Sequence, residues 1–469
     1  MTSRLKKTAA CFITTGIIAS SCFARGQKSD LSAHTIKTFA GPLEAGSPAQ
    51  NQKALPDLTE RSELTDYLVY AALNNAGLEA AFNRWKAALE RIGQVTALPD
   101  PRFEYRYFIE EVETRVGPQR QSFGISQIFP WFGKLELAGD VAAEAANAAR
   151  QRYEAVKLKL FFEVKDAYYE YYYLAKSIAV TKENIALVKH LETVARSRYK
   201  AAAATHSDVI RAQVEIGKLE DRYRALLDFV RPVSARLNAA LNRPVDSSVP
   251  WPKEIRIEQV QLADEQLLAE LVAKNPELKA LDFEITQSQH KIDLAEKDYY
   301  PDFTVGVSLI DTDNSPVGSP RDNGKDPVIA MVSVNVPLWR DKYDARVQEA
   351  RNRYFAATRQ RTEKANSLSV RLKMALYRFR DAERKLDLYR NALLPKAAES
   401  VKVTESDFRA AKAGFADLID AQRILLEFGL SYERAVADRA QGLAELEMLI
   451  GRAIASTGNK SGHSSVLNQ

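Results

Sequence analysis

Residues able to do chemistry are few and far apart in this chain. Asp417 and Asp420 stand three apart in a helical pattern and so share a face. Read locally, Asp417 is a helix N-cap and Asp420 a first-turn acid favoured by the helix dipole. The histidines, His34, His190, His206, His290 and His463, show neither the i,i+4 spacing nor the clustering that a metal site needs, and His206 reads as a turn residue. Gly318 to Lys325 holds one residue too many for a phosphate-cradling loop, and Asp326 replaces the Ser or Thr that would hold magnesium. The run Tyr168-Tyr169-Glu170-Tyr171-Tyr172-Tyr173 could stack on a ligand, but on a long helix it reads as packing. No acid, base and nucleophile converge, so the sequence points away from an enzyme and asks for no cofactor, catalytic residue or metal.

Both cysteines, Cys11 and Cys22, fall in a leader with Arg4, Lys6 and Lys7 followed by an uncharged stretch from Thr8 to Ala24. This reads as an export signal, too short and too rich in Ser and Thr for a transmembrane helix. Ala19-Ser20-Ser21-Cys22 loosely resembles a lipoprotein signal in which Cys22 is acylated; the alternative is ordinary cleavage after Ala24. The net charge of +5 falls once the three leader cations are lost, which gives nucleic acid no purchase. Nothing after the leader is apolar for the roughly 18 residues of a helical span, so any membrane crossing must be a β-barrel.

The elements that would position these residues recur. Leu78-Glu79-Ala80 matches Leu278-Lys279-Ala280, and Pro101-Arg102-Phe103 matches Pro301-Asp302-Phe303. Phe129-Pro130 matches Val336-Pro337, and Ser207-Asp208-Val209-Ile210-Arg211-Ala212-Gln213 matches Ala416-Asp417-Leu418-Ile419-Asp420-Ala421-Gln422. The nearly constant separation implies one unit used twice. Each unit reads as a helix, two strands, a long helix, a tight turn and a returning helix.

Phe103, Tyr105, Tyr107 and Ile109 alternate with mostly polar neighbours, as do Phe303, Val305, Val307 and Leu309; partner strands carry Phe123, Ile125 and Phe129, and Ala330, Val332, Val334 and Val336. Loops are expected over 111–120 and 311–327. From Gly139 to Ala204 no proline intervenes, predicting a helix about 100 Å long. Val209, Ala212, Ile216, Leu219, Tyr223, Leu226, Val230, Val233 and Leu237 hold coiled-coil positions on the return. Leu418, Ala421, Leu425, Phe428, Tyr432, Ala435 and Leu446 repeat this, interrupted by Arg439 and Gly442, and Pro395 should kink the second long helix. The expected division is a signal over 1–24, a loose segment over 25–57, copies over 58–244 and 263–452, a loose linker over 245–262 and a disordered tail over 453–469.

A strand pair apolar on one face and polar on the other suits a barrel wall between lipid and water. Four strands cannot close one, and open edges in a bilayer cost several kcal/mol per unpaired amide, so several chains must share the sheet. Trp131, Phe132 and Trp339 follow the second and fourth strands, where they would either lie at the membrane interface or pack a strand-to-helix corner.

In order, Asn275-Pro-Glu-Leu-Lys-Ala-Leu, Tyr300-Pro-Asp-Phe, Val336-Pro-Leu-Trp, Leu394-Pro-Lys-Ala-Ala-Glu-Ser and Gly414-Phe-Ala-Asp-Leu-Ile-Asp-Ala-Gln resemble the TolC-like outer-membrane efflux family from about Thr59 to Arg452. The resemblance implies a mainly α fold with a small β part, long coiled-coil hairpins forming an α-barrel, and a homotrimer with a twelve-stranded barrel in outer-membrane lipid of a Gram-negative bacterium. It implies a tunnel across the periplasm to an adaptor protein and an inner-membrane pump. It also implies that Asp417 and Asp420 sit in a closing carboxylate ring at the periplasmic tip, with Asp208 and Arg211 in the matching place of the first copy. Arg211 replaces the second acid there and would pair with a neighbouring Asp. Phe129-Pro-Trp-Phe-Gly-Lys134 resembles a pattern of the heavy-metal branch, departing at Phe132, but metal-binding Met and His are scarce, with four Met in all, and drug export or protein secretion stays open. The competing reading is a periplasmic or surface coiled-coil scaffold without a pore.

Overall fold

A computed structural model describes residues 55 and 57–454, apart from 203, 256, 258, 261 and 411. The export signal with Cys11 and Cys22, the segment Gln27 to Gln52, His34, His463 and the tail from Ser456 lie outside the described residues. The first half runs α1 (Leu64–Asn74), α2 (Ala76–Thr96), β1 (Arg102–Val112), β2 (Gln119–Phe129), α3 (Lys134–Lys200), α4 (His206–Asp228) and α5 (Val230–Ala240). The second runs α6 (Asp264–Lys274), α7 (Pro276–Lys297), β3 (Phe303–Thr312), β4 (Val328–Val334), α8 (Arg340–Leu388), a π turn (Tyr389–Leu393), α9 (Leu394–Arg409) and α10 (Phe415–Ile450).

Where one opening helix was expected in each half, there are two. Asparagine makes the break. Asn75 caps α2 by accepting from the Leu78 amide at 2.9 Å and donates its own side-chain amide to the Ala240 carbonyl at 3.2 Å. Asn275 accepts from the Glu277 and Leu278 amides at 2.9 and 3.2 Å and donates to the Leu449 carbonyl at 2.8 Å. Both therefore start one helix and hold the carbonyl end of a returning one. Pro276, whose missing N–H costs nothing in a first turn, fits behind the second.

The long helix starts at Lys134, ahead of the expected Gly139, and its 67 residues span about 100 Å. Gly139 lies inside it, and glycine is needed there because a Cβ would come within 2.7 Å of the Thr96 methyl at the end of α2. Its return is broken at Phe229, because Pro232 cannot donate to the Asp228 carbonyl. Of the predicted coiled-coil residues, Val209, Ala212, Leu219 and Leu418 share one core with Val188, Leu191 and Phe408, but the second return also buries Phe415, Ile419, Leu426 and Leu430 there, while the expected Leu425 and Phe428 are only half-buried. The two interruptions are a contact of their own. Arg439 is buried with its guanidinium 5.0 Å from the Phe379 ring and 3.2 Å from Glu383, while a Cβ on Gly442 would crowd Phe379 at 3.3 Å.

Pro395 acts where expected, but through a π turn in the preceding residues rather than a simple kink. Heptad spacing from Phe379, Ala382 and Leu386 resumes at Ala397, Val401 and Phe408, one residue late, so the π turn absorbs one extra residue. The first part of the linker, expected to be loose, is tied down. Trp251 stacks on Tyr171 at 4.6 Å, Tyr171 donates to the Val249 carbonyl at 3.0 Å, and Asn238 donates to the carbonyls of Val245 and Ser247 at 3.1 and 2.7 Å. Tyr171 serves that strap, while Tyr168 packs on Tyr67, Tyr172 beside Leu386 and Tyr173 under Arg434. Burial pushes Tyr67 and Tyr171 up to about 12, so these phenols stay protonated and act as packing.

The strands form one antiparallel sheet in the order β1-β2-β3-β4. The connecting loops are shorter than expected, 113–118 and 313–327, and Val336 falls beyond the end of β4. The loops lock together at the far end, with the Asp313 amide donating to the Pro118 carbonyl and the Gly324 amide to the Val116 carbonyl, each at 2.8 Å.

Candidate channel wall and periplasmic tip

Directly paired residues of an antiparallel sheet point to the same face, so the register fixes what each face carries. One row is Phe103, Ile125, Val307 and Ala330; the next is Tyr105, Phe123, Leu309 and Val328; Phe129, Phe303 and Val334 form another. This face stays apolar for about 20 Å along the strands and ends where Gln121 donates to Asp311 at 2.9 Å and accepts from the Tyr105 hydroxyl at 3.1 Å. Gln127, in the same parity, turns its amide back to the Pro99 carbonyl at 2.6 Å. The opposite face carries Arg102, Glu104, Arg106, Ser122, Gly124, Ser126, Gly306 and Ser308, broken by Ile128 and Ile310 and by Ile329 and Met331 toward the β4 edge. Most of these apolar side chains are exposed among the described residues, and Ile109 on the β1 edge is 93 % exposed. No described helix is long and apolar enough to cross a membrane.

Where β2 turns into α3, Asp302 gathers the corner. Its carboxylate accepts from the Trp131 amide and from Lys134 Nζ, each at 2.8 Å, and its own amide donates to Asn335. Lys134 also donates to the Tyr300 carbonyl at 3.2 Å. Trp131 stacks on Tyr300 at 5.2 Å and on Phe303 at 5.5 Å, so it packs the corner. Phe132 and Trp339, 76 % and 77 % exposed, project from it.

At the far end of the helices the two hairpin tips meet. Asp208 accepts from the Thr205 amide at 3.1 Å and hydroxyl at 2.9 Å; Asp417 accepts from the Gly414 amide at 2.9 Å. Each sits three residues past the cap and closes its helix start, so Gly414 and not Asp417 is the N-cap, and Asp420 lies beyond the first turn rather than in it. The structure thus separates Asp417, held by its own turn, from Asp420, whose carboxylate is 3.1 Å from Arg423. Arg423 in turn bonds Glu215 at 2.5 Å, tying α10 to α4. Arg211 is exposed, and the ion pair expected of it does not form within the described chain. His206 opens α4 with its ring against Tyr199, 5.2 Å away, as a turn residue should. The Arg198 guanidinium lies 4.5 Å over Phe408, which meets Phe415 edge-on at 5.4 Å, so the hairpins also share an aromatic contact.

Sequence reasoning passed over Asn75, Lys134 with Asp302, and Arg423 with Glu215. A signal existed for two of these. The 200-residue offset already aligns Asn75 with Asn275, and Arg423 lies one helical turn past Asp420. Among the described residues no three His, Cys, Asp or Glu side chains gather as a metal site would require.

A sheet oily on one side and wet on the other, joined to helices about 100 Å long, defines a subunit of an outer-membrane channel that reaches into the periplasm. The chain belongs to the outer membrane efflux protein family, whose sequence pattern matches residues 68–243 and 267–452. It is therefore not an enzyme but the outer-membrane exit duct of a tripartite efflux system. It is 21 % identical to Nodulation protein T of Rhizobium leguminosarum bv. trifolii over 83 % of this chain and 85 % of that one. It is 20 % identical to the cobalt-zinc-cadmium resistance protein CzcC of Cupriavidus metallidurans over 91 % and 95 %. Its fold resembles the channel CusC, with a TM-score of 0.71 at 12 % identity over 83 % of this chain and 92 % of CusC. It also resembles the outer membrane protein VceC of Vibrio cholerae, at 0.69 and 15 % over 83 % and 96 %.

Proposed function

We propose that three copies of the chain close their sheets into one twelve-stranded barrel, and that their helices continue it as a tunnel to an adaptor protein and an inner-membrane pump. The carrying observation is the apolar band that runs in register across all four strands while β1 and β4 keep open edges. In a bilayer those edges must be paired, and a further copy supplies the complementary edge. The matching order of elements in the two halves, with Asn75 and Asn275 making equivalent bonds, supports one unit used twice. Phe132 and Trp339 would lie at the periplasmic interface of the membrane, with Trp131 bracing the corner behind them.

Asp420, Asp417, Asp208 and Arg211 would ring the opening at the tip, repeated in each copy. In this reading the Arg423 bridge holds Asp420 against the first hairpin. Carboxylates around the opening, together with the Phe129–Lys134 run and the likeness to CzcC, favour a metal cation as cargo. Asp417→Ala combined with Asp420→Ala should raise the conductance of the purified channel in planar bilayers and weaken its preference for cations. Unchanged conductance and selectivity would reduce both residues to helix-start acids, and a lone monomer soluble without detergent would remove the barrel.

A further inference from the structure

The helical wall of one chain has two unpartnered flanks. α2 packs on α3, and α4 and α5 pack mainly on α3, which leaves their outer side open. At the opposite flank α8 packs on α6, α7 and α10 and turns Val370, Met374 and Tyr377 outward. Each flank carries one half of a fit. On the first, Phe229 sits at the break between α4 and α5 and is 51 % exposed. On the second, a hollow of about 470 Å³ opens beside Tyr377, itself 66 % exposed, with buried Leu376 in its lining and Arg380, paired to Asp264, on its rim. The rest of the lining is charged, Lys373, Asp381 and Arg384, so what suits another aromatic ring here is the Tyr377 face together with the Arg380 guanidinium.

The two lie within about 10 Å of one level, Phe229 a turn farther from the sheet than Val233. Val233, one turn past Phe229, packs with Tyr171 and Leu174. Leu174 is about 40 residues into α3, roughly 60 Å from the strand-to-helix corner, and Tyr377 is about 37 residues into α8, roughly 55 Å from its own. Both corners lie at one end of the sheet, because β2 and β4 run in the same direction into them. Pairing β4 of one copy with β1 of the next brings α8 alongside the α2, α4 and α5 flank. Exposed Val403 on α9 and exposed Ile210 on α4 offer a second such pairing close to the tip.

We infer that Phe229 of each copy seats in the hollow formed by Leu376, Tyr377 and Arg380 of its neighbour, a head-to-tail contact that closes into a ring and fixes the seam below the barrel. This rests on the shared-barrel reading. The test uses the full chain carrying Phe229→Cys and Tyr377→Cys together, purified in detergent and mildly oxidised. A ladder of two and three linked chains is expected on a non-reducing gel, absent from either single variant. No ladder from a protein whose mass in detergent is that of three chains would place the seam elsewhere and overturn the contact alone. A one-chain mass in detergent would overturn the ring and the contact together. Phe229→Ala should also lower the temperature at which the three-chain species survives in SDS, with Phe229→Tyr restoring it; an unchanged temperature would count against the contact.

Discussion

Glu144 on α3 shows how a single side chain in this wall can work against stability. Its Oε2 is buried without a hydrogen-bond partner among the described residues, and burial pushes its carboxyl above the usual range, opposed by His290 and by a hydrogen bond from Asn147 and assisted by Asp140. A carboxyl whose pKa is higher folded than unfolded contributes stability below its unfolded value and loses it as the pH rises through the folded one. Glu144→Gln should therefore raise the unfolding midpoint at pH 7 to 8 and leave it unchanged near pH 4, where wild type is protonated too. A variant less stable at every pH would show that the carboxylate has a partner in the assembled protein. Nothing in the sequence marked this position, because the desolvation of Glu144 depends on which face of α3 meets α7. Asp417 differs: its place at a helix start was legible in the residues before it, but its bond to the Gly414 amide separates it from Asp420, and spacing alone could not reveal that.

The elements owe their limits to a few polar contacts. Asn275→Ala removes a cap worth about 1 kcal/mol and leaves the Leu449 carbonyl without its donor, for roughly 2–3 kcal/mol in all. Asn275→Asp should keep the cap and fail to recover the second bond, since a carboxylate cannot donate. Urea unfolding followed by circular dichroism separates the two, and an Asn275→Asp chain as stable as wild type would dismiss the carbonyl contact. Long helices and strand parity were legible because period and proline placement are local properties. The break at Phe229 could have been read from Pro232, whereas the tethering of residues 245–251 could not, because it requires knowing that Tyr171 faces Trp251 across the fold.

For the whole molecule, the two sheet faces make opposite demands. Val307→Lys puts a charge in the middle of the apolar band and should cost about 2–4 kcal/mol per copy in the bilayer, enough to deplete the protein from the outer-membrane fraction. Ser308→Lys, one residue along and on the other face, should leave that fraction nearly full. Equal recovery of both would mean that lipid does not lie against the apolar face. Further down, the π turn ahead of Pro395 has a consequence for anyone counting along the second hairpin. Below Leu393 every contact is indexed one place later than a continuous heptad would put it, so a chain lacking a single residue there would swing its lower part by about 100° about the helix axis. The entrance at the bottom of the duct is thus phased to the exit at the top by one surplus amino acid.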